Sequence, residues 1–185
     1  ERENCDGYAY DPEHPSQHII DMSENEIEVP EDYTREELRQ DLLCYTSPVL
    51  KENLVLTGDM TAELYISSDA PDTDFVVRVT DVDENGRSIK LADGLLSARY
   101  RNGFARSEFL QEGEIVCLKI RTTKLSNCFR KGHRIRVTVT SSAKNFIFPN
   151  SNTREGFASA RTVVAHNRVY HGGLHASRLT VRVEP

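Results

Sequence analysis

A chain of 185 residues, 38% hydrophobic and 28% charged, can bury a sizeable core as one large domain or one domain plus an ordered extension, and it is not disordered in bulk. Its formal net charge of −6 excludes nucleic acid as the main partner, because phosphate binding needs a basic face. No apolar run reaches the length of a bilayer span, so no membrane partner is expected.

The chain opens on Glu1-Arg2-Glu3-Asn4 rather than on Met, and the gene product is expected to begin further upstream. Residues 1 to 40 read as an irregular linker or extension. Asp11-Pro12-Glu13-His14-Pro15 is built of turn formers, and Ser23 to Glu37 is strongly acidic. One helical turn is expected around Thr34 to Leu38, with Thr34 as N-cap and Glu37 completing a capping box.

Residues 41 to 185 read as one β domain. In Asp59 to Ser67, Met60, Ala62, Leu64 and Ile66 fall on one face and Thr61, Glu63, Tyr65 and Ser67 on the other. Further strands are expected at Asp74 to Val82, Ser88 to Leu91, Gly94 to Tyr100 and Glu114 to Arg121. His133 to Thr140 alternates through Ile135, Val137 and Val139. Val163 to Tyr170 reads as a strand, and Leu179, Val181 and Val183 alternate at the end. Strict alternation marks strands with one buried and one wet face, which is the antiparallel habit. Turn signals punctuate them: Asn85-Gly86 most clearly, then Asp93-Gly94, Gly113, Gly132 and Gly172-Gly173. About eight short strands with no long amphipathic helix make an all-β sandwich or barrel, a jelly-roll sandwich in the first instance.

Cys5, Cys44, Cys117 and Cys128 form no C-x-x-C pair, and there is no N-x-[ST] sequon. Free cysteines in strand-like runs act as small hydrophobes, so a reducing, cytoplasmic setting is expected.

Asp81-Val82-Asp83-Glu84-Asn85-Gly86 matches the first half of a calcium loop. The twelfth position, which must supply a bidentate Glu, is Ala92, so a hairpin turn is expected instead. His166, His171 and His175, with Asp69, Asp72 and Asp74 elsewhere, do not form a metal set: His171 and His175 straddle Gly172-Gly173, which breaks the helix that their spacing would need. There is no G-x-S-x-G elbow to present a nucleophile. Accordingly no catalytic, cofactor or metal residue is assigned, and no cofactor is expected. Arg130, Lys131, Arg134 and Arg136 read as a solvated strand face. The loop carrying Phe146, Phe148 and Phe157 holds more apolar bulk than a free loop requires. It either plugs one end of the sandwich or docks on a neighbouring domain, and the docking candidates are Phe146, Phe148, Asn150 and Asn152.

An ordered set of segments carries a resemblance. It runs from Tyr10-Asp11-Pro12 through Asp41-Leu42-Leu43-Cys44-Tyr45-Thr46-Ser47-Pro48 and Leu56-Thr57-Gly58 to Ser67-Ser68. Ala70-Pro71-Asp72-Thr73-Asp74-Phe75-Val76-Val77-Arg78 follows, then Asp93-Gly94 and Ala98-Arg99-Tyr100-Arg101. Gly132-His133-Arg134-Ile135-Arg136-Val137, Ser141-Ser142, Asn150-Ser151-Asn152-Thr153, Tyr170-His171 and Ser177-Arg178-Leu179 complete it. The chain resembles the C-terminal domain shared by X-Pro dipeptidyl peptidases and cocaine-esterase-like acyl hydrolases. The resemblance implies a galactose-binding-like jelly roll that follows an α/β-hydrolase domain in the same polypeptide, its partner. That domain would hold the Ser-His-Asp triad acting on acyl esters or X-Pro dipeptides. The sandwich itself would be a non-catalytic accessory. A homo-oligomer is a further partner the sequence leaves open. The alternative is a freestanding ligand- or carbohydrate-binding β-sandwich, against which stands the absence of Trp for sugar stacking.

Overall fold

The computed structural model describes residues 4–19 and 30–183. Twelve strands follow one another among these: β1 (Cys5–Tyr10), β2 (Leu42–Thr46), β3 (Leu54–Gly58), β4 (Thr61–Ser68), β5 (Asp74–Val82) and β6 (Ser88–Ser97). Then come β7 (Val116–Arg121), β8 (Leu125–Phe129), β9 (Arg134–Thr140), β10 (Ala165–Gly172), β11 (His175–Ala176) and β12 (Arg178–Thr180). One sheet runs β1-β10-β4, with β7 on the far edge of β4 and β12 sharing its near edge with β10. The second sheet runs β2-β9-β5-β6, and β3 with β8 forms a separate ribbon. Every strand pair is antiparallel.

The two sheets face each other as a β-sandwich, and the alternating residues meet between them. Ala62, Leu64 and Ile66 of β4, Leu118 and Ile120 of β7 and Val169 of β10 pack against Phe75 and Val77 of β5 and Val139 of β9. Met60, Val79 and Ala92 form a smaller cluster beside them. Removing such side chains from water is the main force holding the layers together.

β5 departs from alternation for a physical reason. It is buried on both faces, and its outward-facing Arg78 and Thr80 are covered by the N-terminal segment through Tyr33 and Glu37. Arg78 lies 3.7 Å under the ring of Tyr33, a cation–π contact between two buried side chains. Lys90 brings Nζ within 2.8 Å of both His18 Nε2 and Glu31 Oε1, clamping the same segment onto β6.

Several expectations change. The segment expected to be irregular supplies β1, whose residues pair in register with β10 from Cys5↔Tyr170 to Tyr10↔Ala165. A strand there is stabilised by ladder bonds to a partner about 160 residues away, which local composition does not signal. The helical turn is a 3-10 turn, Glu36–Leu38, without a side-chain cap. Thr34 hydroxyl donates to Asp32 and accepts the amide of Ser88. Glu37 turns inward: Oε1 accepts from Ser88 Oγ at 2.8 Å and Oε2 from Arg136 Nη1 at 2.6 Å. Arg136 is therefore engaged rather than solvated. The acidic residues Glu24, Glu26 and Glu28 lie outside the described residues. Finally, the two strands expected at Ser88 to Leu91 and Gly94 to Tyr100 are the single strand β6, with a register shift opposite Val79/Thr80. Gly94 is no turn there. A Cβ on it would stand 2.4 Å from the carbonyl oxygen of Arg121, so glycine permits the close approach of the two backbones.

Candidate interdomain docking surface

The loop from Ser141 to Val164 crosses one end of the sandwich, and its shape follows from buried polar anchors. Asn150, 5% exposed, donates from Nδ2 to Asp72 Oδ2 at 2.7 Å and to Asp74 Oδ1 at 2.9 Å. Asn152, fully buried, donates from Nδ2 to the Val163 carbonyl at 2.7 Å and takes a positive φ of 63°, a conformation asparagine tolerates better than most residues. Arg99, just beyond β6, is the hub. Its Nε donates to Asp72 Oδ2 at 2.7 Å, Nη2 to the Thr153 carbonyl at 2.9 Å and Nη1 to the Arg154 carbonyl at 3.0 Å. Gly156 closes the loop at φ +65°, a conformation that favours glycine, and a Cβ there would press on Arg99 Nη2 at 3.1 Å. Burial pushes the Asp74 carboxyl above its ordinary range, and neighbouring Asp72 adds to that against hydrogen bonds from Ser97 and Asn150.

This interior polar frame holds aromatic rings outward. Phe148 is 80% exposed and Phe157 74% exposed, with their rings stacked at 6.0 Å. Tyr100 stands beside Phe104, which is also exposed, at 5.4 Å. Phe148, Phe157 and Tyr100 ring a depression of about 150 Å³ whose floor is Asp72, Asp74 and Asn150. Phe148 and Phe157 on the loop and Phe104 beside it expose large apolar rings to water, which makes this end of the sandwich a candidate contact surface.

The four docking candidates thus divide. Phe148 faces outward at the centre of the patch. Phe146 is partly exposed and stacks on buried His18 at 5.0 Å, covering the N-terminal clamp. Asn150 and Asn152 face inward and shape the loop. Tyr100, Phe104 and Arg99 were not among the candidates: Arg99 and Tyr100 entered only through the segment Ala98-Arg99-Tyr100-Arg101 that carries the resemblance, and the turn that closes with Gly103 N donating to the Tyr100 carbonyl at 2.9 Å places the rings of Tyr100 and Phe104 side by side.

The other motifs are accounted for by local bonding. Asp83 to Arg87 is the β5–β6 hairpin turn, with Gly86 N donating to the Asp83 carbonyl at 3.0 Å and Asp83 Oδ1 accepting the amides of Asn85 and Arg87. His171 and His175 lie on the hairpin β10–β11, where Gly172 pairs with His175, and His166 Nδ1 meets Asp69 at 2.7 Å. Among the described residues, no group of three or more His, Cys, Asp or Glu could hold a metal ion, and no helix is long and apolar enough to cross a membrane.

Known proteins share this architecture. The cocaine esterase of Rhodococcus sp. (strain MB1 Bresler) is 35% identical over 188 residues, covering 98% of this chain and 32% of the esterase. Two solved structures have the same fold with TM-scores of 0.91. An aminopeptidase from a marine sediment Thaumarchaeota archaeon is 24% identical and is matched over 100% of this chain and 34% of its own. An α-amino acid ester hydrolase is 23% identical, matched over 97% of this chain and 32% of its own. The chain therefore spans about a third of the length of these relatives. The family model described as the X-Pro dipeptidyl-peptidase C-terminal non-catalytic domain matches residues 3–180, and the chain belongs to that family.

Proposed function

We propose that this chain is the accessory β-sandwich of a longer serine hydrolase, following an α/β-hydrolase-type domain that cleaves acyl esters or X-Pro dipeptides. In this reading residues 1–40 lead in from the catalytic domain and are strapped by β1 and Tyr33 onto the sandwich of residues 41–185. The Ser-His-Asp triad belongs to the preceding domain, and the sandwich packs beside it through the Phe148–Phe157–Tyr100 patch. The observation that carries the reading is the family match over residues 3–180 in relatives about three times as long. Asn150, Asn152 and Arg99 support the docking role by holding the rings in place before contact, which lowers the entropy lost on packing. Interdomain contacts cover roughly 600–1,500 Å², so the patch would be the centre of a wider interface. The unpaired Cys5, Cys44, Cys117 and Cys128 support a reducing, cytoplasmic setting.

The test uses the chain alone and the longer polypeptide. The 185-residue chain should not hydrolyse activated esters or X-Pro amides above background. Phe148→Asp should leave its stability within about 0.5 kcal/mol, as for an exposed position, but lower the activity or melting temperature of the longer polypeptide. Turnover by the chain alone, lost on replacing one of its own serines or cysteines, would refute the accessory role. Unfolding of the chain by Phe148→Asp would place that ring in the core and refute the docking role.

A further inference from the structure

The two sheets leave a hole where β4 changes partners. β10 pairs with β4 only from Asn167↔Ser68 to Tyr170↔Tyr65, then leaves through the Gly172-Gly173-Leu174 turn. β12 takes over the same edge from Arg178↔Glu63 to Thr180↔Thr61. Beneath that seam the facing side chains are short: Ala62 and Leu64 on β4, Val137 and Val139 on β9, and Val169 on β10. Sheets packed face to face stand roughly 10 Å apart, and these side chains do not fill the gap. A cavity of about 140 Å³ remains, open on one side; Ala62, Leu64, Val137, Val139, Val169 and Leu179 form its apolar wall, and the buried, unpartnered Tyr45 hydroxyl lies near its mouth. Protein interiors rarely keep voids larger than a water molecule, and a hollow of this size whose wall is mainly apolar holds water poorly.

The cavity also has an entrance. Its rim is formed by Tyr45, His171, Ser177 and Arg178, with the rings of Tyr45 and His171 edge to face at 6.4 Å. The rim side chains are tied back rather than plugging the opening. His171 Nε2 lies 3.2 Å from Asp6 Oδ2, Arg178 pairs with Glu63, and Ser177 Oγ accepts the amide of Tyr65 at 2.9 Å. An apolar hollow under a polar rim is the arrangement of a small-molecule site.

We propose that this inter-sheet cavity binds a small apolar group, a single ring or a short hydrocarbon chain of about six carbons, with any polar end left at the Arg178 rim. The size sets the class: a dry cavity of about 150 Å³ engineered in another protein accepts benzene, whereas ordinary ligand pockets begin near 300 Å³. The site is independent of the docking patch, since no residue is shared between them.

Benzene titrated into the isotopically labelled 185-residue chain, read by methyl NMR, tests this. Expected are saturable shifts confined to Ala62, Leu64, Val137, Val139, Val169 and Leu179, abolished in Ala62→Leu, whose longer side chain occupies the hollow. Absence of shifts up to the solubility of benzene would overturn the proposal. So would shifts that are unsaturable or spread over surface methyls, or saturable binding that survives in a folded Ala62→Leu. If Ala62→Leu does not fold, Val137→Ile replaces it with the same two outcomes. The wild-type titration decides whether the cavity is open in either case.

Discussion

Replacing Arg99 by Met keeps the length of the side chain and removes its charge and donors. Asp72 is fully buried and would keep only two donors, Asn150 Nδ2 at 2.7 Å and the backbone amide of residue 99 at 2.9 Å. Breaking a buried ion pair by removing one partner costs about 3–5 kcal/mol. The two surviving donors place this case near the lower end, at about 3 kcal/mol. The Thr153 carbonyl loses its donor as well, adding about 1 kcal/mol, while the exposed Arg154 carbonyl turns to water at little cost. The expected loss is therefore about 4 kcal/mol, or about 8–16 °C in melting temperature for a domain of this size. Urea unfolding of the chain would measure it, with Asp72→Asn and the double variant completing a cycle. Removing the stranded charge should restore part of the loss, with a coupling of about 2 kcal/mol. A single-variant loss under about 1 kcal/mol, or no coupling, would refute the role of Arg99 as the tie between the Asp72 turn and the aromatic loop.

Gly94→Ala should cost about 2–3 kcal/mol or more in urea unfolding, because its Cβ would meet the Arg121 carbonyl oxygen at 2.4 Å and backbone must move; a neutral result would show that β6 and β7 are not so close. Asp32 is held down to about 2 by the Thr34 hydroxyl, the Arg87 guanidinium and the Thr34 amide, so its contribution is present above pH 3.8 and lost as pH falls towards 2. Asp32→Asn should flatten that acid limb of the stability curve. Asp74, raised by burial, has the opposite sign: its contribution is full below pH 3.8 and is lost as pH rises through its folded value, so Asp74→Asn should remove that decline. Millimolar calcium should leave the melting temperature unchanged, since Asp83 already uses its carboxylate on the turn amides and Ala92 supplies no ligand; a calcium-dependent rise would contradict the hairpin assignment.

The sequence by itself determined the class of the fold. The period of two in Met60 to Ile66 and Ile135 to Val139 places one face of each strand in the core whatever the strand order, because successive side chains on a strand must point opposite ways. The Asn85-Gly86 hairpin was legible for the same local reason: Gly86 adopts a φ of 84° that few other residues accept. Phe148 was legible as an apolar side chain in a loop with no strand to bury it. What only the tertiary structure decided involves partners far along the chain. β1 exists because β10 offers it a ladder, and Glu37 turns inward because Ser88 and Arg136 converge on it. Asn150 and Asn152 read from the sequence as docking candidates on a loop, yet both face inward. They are buried because Asp72, Asp74 and the Val163 carbonyl need their amide donors in a place water does not reach. The cavity under Tyr45 was the least legible feature. It arises where β12 replaces β10 on one edge of β4, and local hydrophobic patterns carry no record of which strand ends where.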